Sequence, residues 1–218
     1  MPATLWIASK NPGKAAELAR RLPPDVRVRA LAEAGDASGF DPAEDAPDFA
    51  GNALAKARAA VAFLAGHDAL GAALVLADDS GLSVDALGGR PGVHSARWAG
   101  ADATDADRIA RLLEALAATG DRARRAHFTC SLVVLRPDGS TFFAAEERCE
   151  GRILEAPRGG GGFGYDPVFA PDEGQDGVRT RSFAEMTAAE KDAVSHRGRA
   201  LRLLRAALDD RATPGSAP

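Results

Sequence analysis

Thr4 to Ala8 is a short apolar run that ends at Ser9-Lys10-Asn11-Pro12-Gly13-Lys14, and helical spacing follows at once through Ala15, Leu18, Ala19 and Leu22. A strand that turns directly into a helix commits the start of the chain to α/β packing, because each element must bury its apolar face against another layer. The free N–H groups of a helix start, together with its positive dipole end, form a natural anion site. Lys14 adds a full charge there and Gly13 lets the backbone approach a ligand closely. A plain strand-to-helix junction with its lysine in water fits the segment equally well. It is not a P-loop, since Ala8 stands where the first glycine is required and Ala15 where the hydroxyl residue is required. An ordinary ATPase is thereby disfavoured.

Val26 to Leu31 alternates and predicts a second strand, followed by an acidic, aperiodic loop from Ala32 to Pro47. Asp48 to Ala65 returns to helical spacing. Leu74 to Ala77 reads as a buried strand that ends abruptly at Asp78-Asp79-Ser80-Gly81. Thr104, with Asp107 three residues on, caps a helix to about Ala118. His127–Leu135 and Thr141–Cys149 flank Pro137-Asp138-Gly139-Ser140 as a hairpin. Thr187 to Glu190 has capping-box form, and Ser195 is placed to cap a helix to about Leu208. The end of the chain, from about 211 to 218, reads as a disordered tail. Elements alternate in the first half and strands pair locally in the second, which predicts α/β with a mixed sheet.

The 218 residues suit one large domain or two fused lobes with a real core. A formal net charge of −4 argues against a nucleic-acid-coating surface. No run approaches the ~20 apolar residues of a membrane span, and the N-terminus lacks a signal peptide's basic and apolar regions, so the expected location is the cytoplasm. Cys130 and Cys149 are too few for a disulfide framework or a zinc site and read as buried core thiols.

Four further segments carry residues suited to chemistry. Asp78 and Asp79 sit where open α/β sheets place ligands, and a carboxylate pair beside phosphates suits Mg²⁺; two aspartates capping a turn is the alternative. Lys56 lies on the edge of its helix's apolar stripe, either snorkelling to solvent or reaching a phosphate. Phe163-Gly164-Tyr165-Asp166 follows four glycines and offers a ring for stacking, or a tight turn with core aromatics. Lys191, with Ser195-His196-Arg197-Gly198, supplies donors that suit the keto oxygens of a purine, or forms a solvated basic face.

In order along the chain, these segments resemble the inosine/xanthosine triphosphate pyrophosphatase family. The match runs from about Leu5 to Leu208. It includes Asn52-Ala53 with Lys56, Ala77 to Leu82, Asp85 to Gly92, Ser95-Ala96-Arg97 and Gly162 to Pro167. Ala184-Glu185-Met186, Glu190-Lys191 and Ser195 to Gly198 complete the series.

The resemblance implies an elongated, two-lobed α/β mixed-sheet protein with a central substrate cleft, usually a homodimer. It implies Mg²⁺-dependent hydrolysis of ITP, dITP and XTP to the monophosphate and pyrophosphate. It assigns Ser9, Lys10, Asn11, Pro12, Gly13 and Lys14 to the triphosphate, Asp79 to proton acceptance and metal binding, and Ser80 and Lys56 to substrate. Phe163, Gly164, Tyr165, Asp166, Lys191, His196 and Arg197 fall to the base and its surroundings, and Glu44 to a second metal-binding carboxylate. Gly51 departs from the pattern, since many bacterial relatives carry glutamate there. The polar Asp172–Arg181 segment reads as an added flap. A Maf-type pyrophosphatase and a non-catalytic nucleotide-sensing module are the competing readings.

Overall fold

The computed structural model describes residues 4–9, 18–174 and 180–212. The expected phosphate-turn residues Lys10, Asn11, Pro12, Gly13 and Lys14 therefore lie outside the described residues, as does the start of the first predicted helix.

The strands are β1 (Thr4–Ile7), β2 (Arg27–Ala30), β3 (Leu74–Val84), β4 (Arg125–Leu135), β5 (Thr141–Ile153) and β6 (Phe169–Pro171). They form one sheet in the order β2-β1-β3-β4-β5-β6. β1 runs parallel to both β2 and β3, whereas β5 and β6 are antiparallel, so the sheet is mixed as predicted. The helices are α1 (Phe49–Gly66), α2 (Asp105–Thr119), α3 (Ala188–Val194) and α4 (His196–Ala212). Residues 211 and 212, expected in the tail, belong to α4. Among the described residues no helix is long and apolar enough to cross a membrane.

β3 corrects the sequence reading most. It was expected to stop at Asp78, yet it runs on through Asp78-Asp79-Ser80-Gly81 to Val84 and is buried at every position except Ser80. A strand between two others, buried on both faces, is normally apolar throughout. Here two aspartates continue the ladder because the backbone of a central strand must pair whatever its side chains are. The turn-capping alternative for Asp78 and Asp79 is thus removed. β6 was not anticipated, since three residues carry no periodicity. Gly151 on β5 makes room for it, because a β-carbon there would strike the Ala170 carbonyl oxygen.

The chain divides into two compact units. The first contains residues up to Asp79, Ser131–Glu146 and those from Ala200; the second contains Ser80–Cys130 and Glu147–Arg199. In the first unit α1 buries Phe49, Ala53, Ala57, Ala60 and Leu64 at helical spacing. Ala60 and Leu64 join Trp6, Leu31 and Val75, while Ala53 and Ala57 pack with Ala77, Val133 and Leu135. Alanines at these positions let the helix approach the sheet closely. Asp48 caps α1, accepting the Gly51 N–H at 2.7 Å.

In the second unit α2 opens with a reciprocal Thr104–Asp107 capping box and closes on Gly120, whose φ of 71° is left-handed. Its Ile109, Leu112 and Leu116 face Phe128, Phe169, Phe183, Cys149 and Ile153. Phe128 meets Phe169 edge-on with centroids 4.8 Å apart, and Phe169 meets Phe183 at 5.0 Å. Both cysteines are buried thiols outside any disulfide, and burial pushes the Cys149 thiol up to about 12. Phe169 is fully buried at the centre of this cluster. Phe169→Ala should lower unfolding stability by roughly 3–5 kcal/mol, read from the shift of the urea midpoint.

Candidate functional site

Asn52 and Lys56 are four residues apart on α1, so their side chains share one face of the helix one turn apart. Both reach Asp79 on β3. The Lys56 ammonium lies 2.7 Å from Asp79 Oδ1, and the Asn52 amide donates to Asp79 Oδ2 at 3.2 Å. Lys56 also meets Glu44 Oε1 at 2.9 Å. Asp79 is 8% exposed and Asn52 fully buried. Lys56 therefore does not snorkel; its charge lies between two carboxylates.

Burial raises the Asp79 carboxyl above the ordinary range, and the negative charge of Glu44 adds to this, against the opposing bonds from Lys56 and Asn52. Burial alone would pull Lys56 down, but its bonds to Asp79 and then Glu44 outweigh it and leave the ammonium raised. Two carboxylates against one ammonium leave an excess negative charge. Both carboxylates meet at the Lys56 ammonium, and carboxylate oxygens are the donor type a hard divalent ion takes in small number, completing its shell with phosphate and water. Among the described residues no group of three or more His, Cys, Asp or Glu is arranged to hold a metal. The fit is to an ion that arrives with phosphate.

The second unit carries a different cluster. Phe163, at the tip of the glycine-rich approach, is 57% exposed, a large share for so big an apolar ring. The Lys191 ammonium lies 5.0 Å and the Arg197 guanidinium 5.7 Å from its centroid, both within cation–π range. Asp166 holds the turn together: one carboxylate oxygen accepts the Phe163 N–H at 2.8 Å and the Lys191 ammonium at 2.5 Å. Gly162 must be glycine, since its φ is +74° and a β-carbon would strike that carboxylate. Asp166 thus acts on its neighbours, with its acceptor oxygen already engaged.

Tyr165 is buried, and its hydroxyl donates to the Ser95 carbonyl at 3.0 Å. Burial raises that phenol. Gly164 N–H donates to Asp105 at the start of α2 at 2.6 Å. Ser195 caps α4, accepting the Gly198 N–H at 3.1 Å. That aims Arg197 toward Ser80, whose hydroxyl lies 3.5 Å away. His196 does not stand at the surface with Arg197: it is buried and stacked on Phe128, centroids 4.7 Å apart and rings 8° from parallel. Ser9, half-buried after β1, donates its N–H to Ile7 at 2.7 Å.

Asp105, Ser95 and Phe128 carry no local signal of their roles, because their partners Gly164, Tyr165 and His196 lie far along the chain. Asn52 stands in the sequence as part of a motif with Ala53 and Lys56. Its spacing from Lys56 was the available signal, though not its target.

This arrangement defines an α/β protein with a buried aspartate on its central strand, joined through Lys56 to Glu44, and an exposed aromatic ring flanked by lysine and arginine. The chain belongs to the Ham1 family, whose model matches residues 5–207. It is 47% identical over 199 residues to a dITP/XTP pyrophosphatase of Geobacillus kaustophilus, covering 91% of this chain and 90% of that one. It is likewise 47% identical over 210 residues to a dITP/XTP pyrophosphatase of Mycolicibacterium paratuberculosis, covering 94% and 95%. The solved HAM1 protein of Coxiella burnetii superposes with a TM-score of 0.82 at 37% identity, over 95% of this chain and 99% of that one. The Staphylococcus aureus Ham1 protein gives 0.80 at 35% identity, with the same coverage.

Glu190, beside Lys191, closes the Thr187 capping box and meets Arg181 at 3.0 Å. The Thr187 N–H, then its hydroxyl, then Arg181 bring the Glu190 carboxyl down to about 2. A depressed carboxylate contributes stability above its unfolded value and loses it as pH falls through the folded one. NMR titration should therefore place the Glu190 midpoint near 2, well under the ordinary 4.5. The start of α3 should weaken as pH drops across that interval. A midpoint near 4.5 would show that the box does not hold in solution.

Proposed function

We propose that the chain hydrolyses the purine nucleoside triphosphates ITP, dITP and XTP to monophosphate and pyrophosphate. The observation that carries this reading is Asp79, a buried carboxylate on the central strand gripped by Lys56 and Asn52 and lying close to Glu44. Membership of the Ham1 family and the names of its relatives support the substrate class. The ordered motifs shared with the inosine/xanthosine triphosphate pyrophosphatases support Mg²⁺, a homodimer, a cytoplasmic location and a single domain of two lobes over residues 1–218.

In this reading water attacks the α-phosphorus in line. A bond forms from the water oxygen to phosphorus, the bond from phosphorus to the α–β bridging oxygen breaks, and pyrophosphate leaves. Asp79 takes the proton from water; its raised carboxyl is better matched to that task than an ordinary aspartate. Lys56 offsets charge on the phosphates, and Ser9 to Lys14 cradle the triphosphate. Glu44 and Asp79 would hold Mg²⁺, which supplies charge neutralisation to the triphosphate and the departing pyrophosphate.

Phe163 gives the base a stacking surface, and Lys191 and Arg197 donate to a 6-keto oxygen. Adenine presents a 6-amino donor instead and leaves such donors unpaired, at about 1–3 kcal/mol each. Guanine shares the 6-keto group, so its rejection depends on the 2-position.

A panel of ITP, dITP, XTP, GTP and ATP, assayed with and without Mg²⁺, tests the reading. Pyrophosphate should be released from the first three and only with the metal; orthophosphate as the product, or equal rates with ATP, would refute it. Asp79→Asn should abolish turnover and leave nucleotide binding measurable by calorimetry. Arg197→Met should lower the ITP-over-ATP ratio of kcat/KM by roughly tenfold, about 1.4 kcal/mol.

A further inference from the structure

Asn52 is a fully buried polar side chain on the apolar face of α1, among Phe49, Ala53, Ala57 and Leu64. Such a group is retained only when both ends of its amide are satisfied. The oxygen accepts the Ala46 N–H at 3.0 Å, and the nitrogen donates to Asp79 Oδ2 at 3.2 Å. Only one orientation of the amide permits this. A flip would set its NH₂ against the Ala46 N–H and its oxygen against the carboxylate, replacing two attractions by two repulsions.

The two partners belong to the two segments that carry the carboxylates. Ala46 lies two residues from Glu44 on the acidic loop, and Asp79 lies on β3. Lys56 takes the other oxygen of Asp79 from the same helix face. The carboxylate is therefore held at both oxygens, and the plane of the group is fixed. Through Ala46 the same amide sets the loop that brings Glu44 to within 2.9 Å of Lys56. Lys56 by itself could hold one oxygen but leaves the group free to turn about that contact.

We propose that Asn52 is a positioning residue of the hydrolytic site, one amide that orients the Asp79 carboxylate and anchors the loop carrying Glu44. The inference rests on Asp79 being the proton acceptor of the proposed reaction. It assigns Asn52 no contact with the nucleotide, so its loss should act on turnover and spare substrate binding.

Two variants separate the two tasks. Asn52→Leu conserves volume and removes both bonds. Asn52→Asp keeps the shape and an acceptor for Ala46 but replaces the donor to Asp79 with a like charge. Each full-length variant is first shown to be folded by its thermal transition. Then kcat and KM for ITP and the exchange rate of the Ala46 amide are measured. Asn52→Leu should lower kcat by roughly 10–100-fold with KM within about twofold, since small misplacements of catalytic groups have effects of that size. Ala46 exchange should accelerate by at least about tenfold. Asn52→Asp should lower kcat comparably while Ala46 stays protected.

Unchanged kcat in folded Asn52→Asp would overturn the positioning of Asp79, and so would a fall confined to Asn52→Leu. If Asn52→Leu does not fold, Asn52→Asp decides alone. A merely structural Asn52 would lower the thermal midpoint of both variants and leave kcat at the wild-type value. Absence of pyrophosphate release from any nucleotide by the wild-type protein would refute the proposed function itself, a separate result from these.

Discussion

The carboxylate of Asp79 sits in the middle of the central strand, where burial works against its charge, and the first unit is arranged around keeping that charge in place. An unpaired buried carboxylate would shed its charge by taking up a proton. Lys56 and Asn52 oppose this from one face of α1, and for them to reach β3 the helix must lie close to the sheet. The alanines at 53, 57 and 60 permit that approach. The packing of the helix and the chemistry of the site thus have one cause. Lys56 also gathers Glu44, so the cluster carries two carboxylates against one ammonium.

The second unit solves a different problem, that of holding a large aromatic ring at the surface. Phe163 gains little from burial, so its position depends on the turn behind it. Tyr165 anchors that turn through the Ser95 carbonyl, Asp105 through the Gly164 N–H, and Asp166 through the Phe163 N–H and Lys191. The cations near the ring are held by what they also touch. Lys191 is tied to Asp166, and Arg197 follows from the start of α4, which Ser195 caps. His196, adjacent to Arg197, turns inward to stack on Phe128 and secures the helix start to the aromatic core.

Much of this could be read along the chain. Caps at Thr104 and Thr187, the hairpin at Pro137 to Ser140 and the helical spacing of α1 are local patterns, and local patterns survive folding. Two adjacent aspartates followed by Ser-Gly are ordinarily a turn signal, and only the tertiary context of β3, inside the sheet, overrides it. β6 is too short to have a period. For Asn52 and Lys56 the spacing was visible but the common partner was not, because Asp79 lies 27 and 23 residues away on another element.

By itself the sequence determined the α/β class, the mixed sheet, the helix caps and the residue types available for chemistry. These depend on contacts within a few residues, where periodicity and capping geometry are sufficient. The tertiary structure alone decided which of those residues act together. It directed Lys56 to Asp79 and Glu44 instead of to solvent, gave Asp166 to Lys191, and took His196 into the core. Each of these outcomes depends on burial and on partners distant in sequence, and burial is a property of the folded chain.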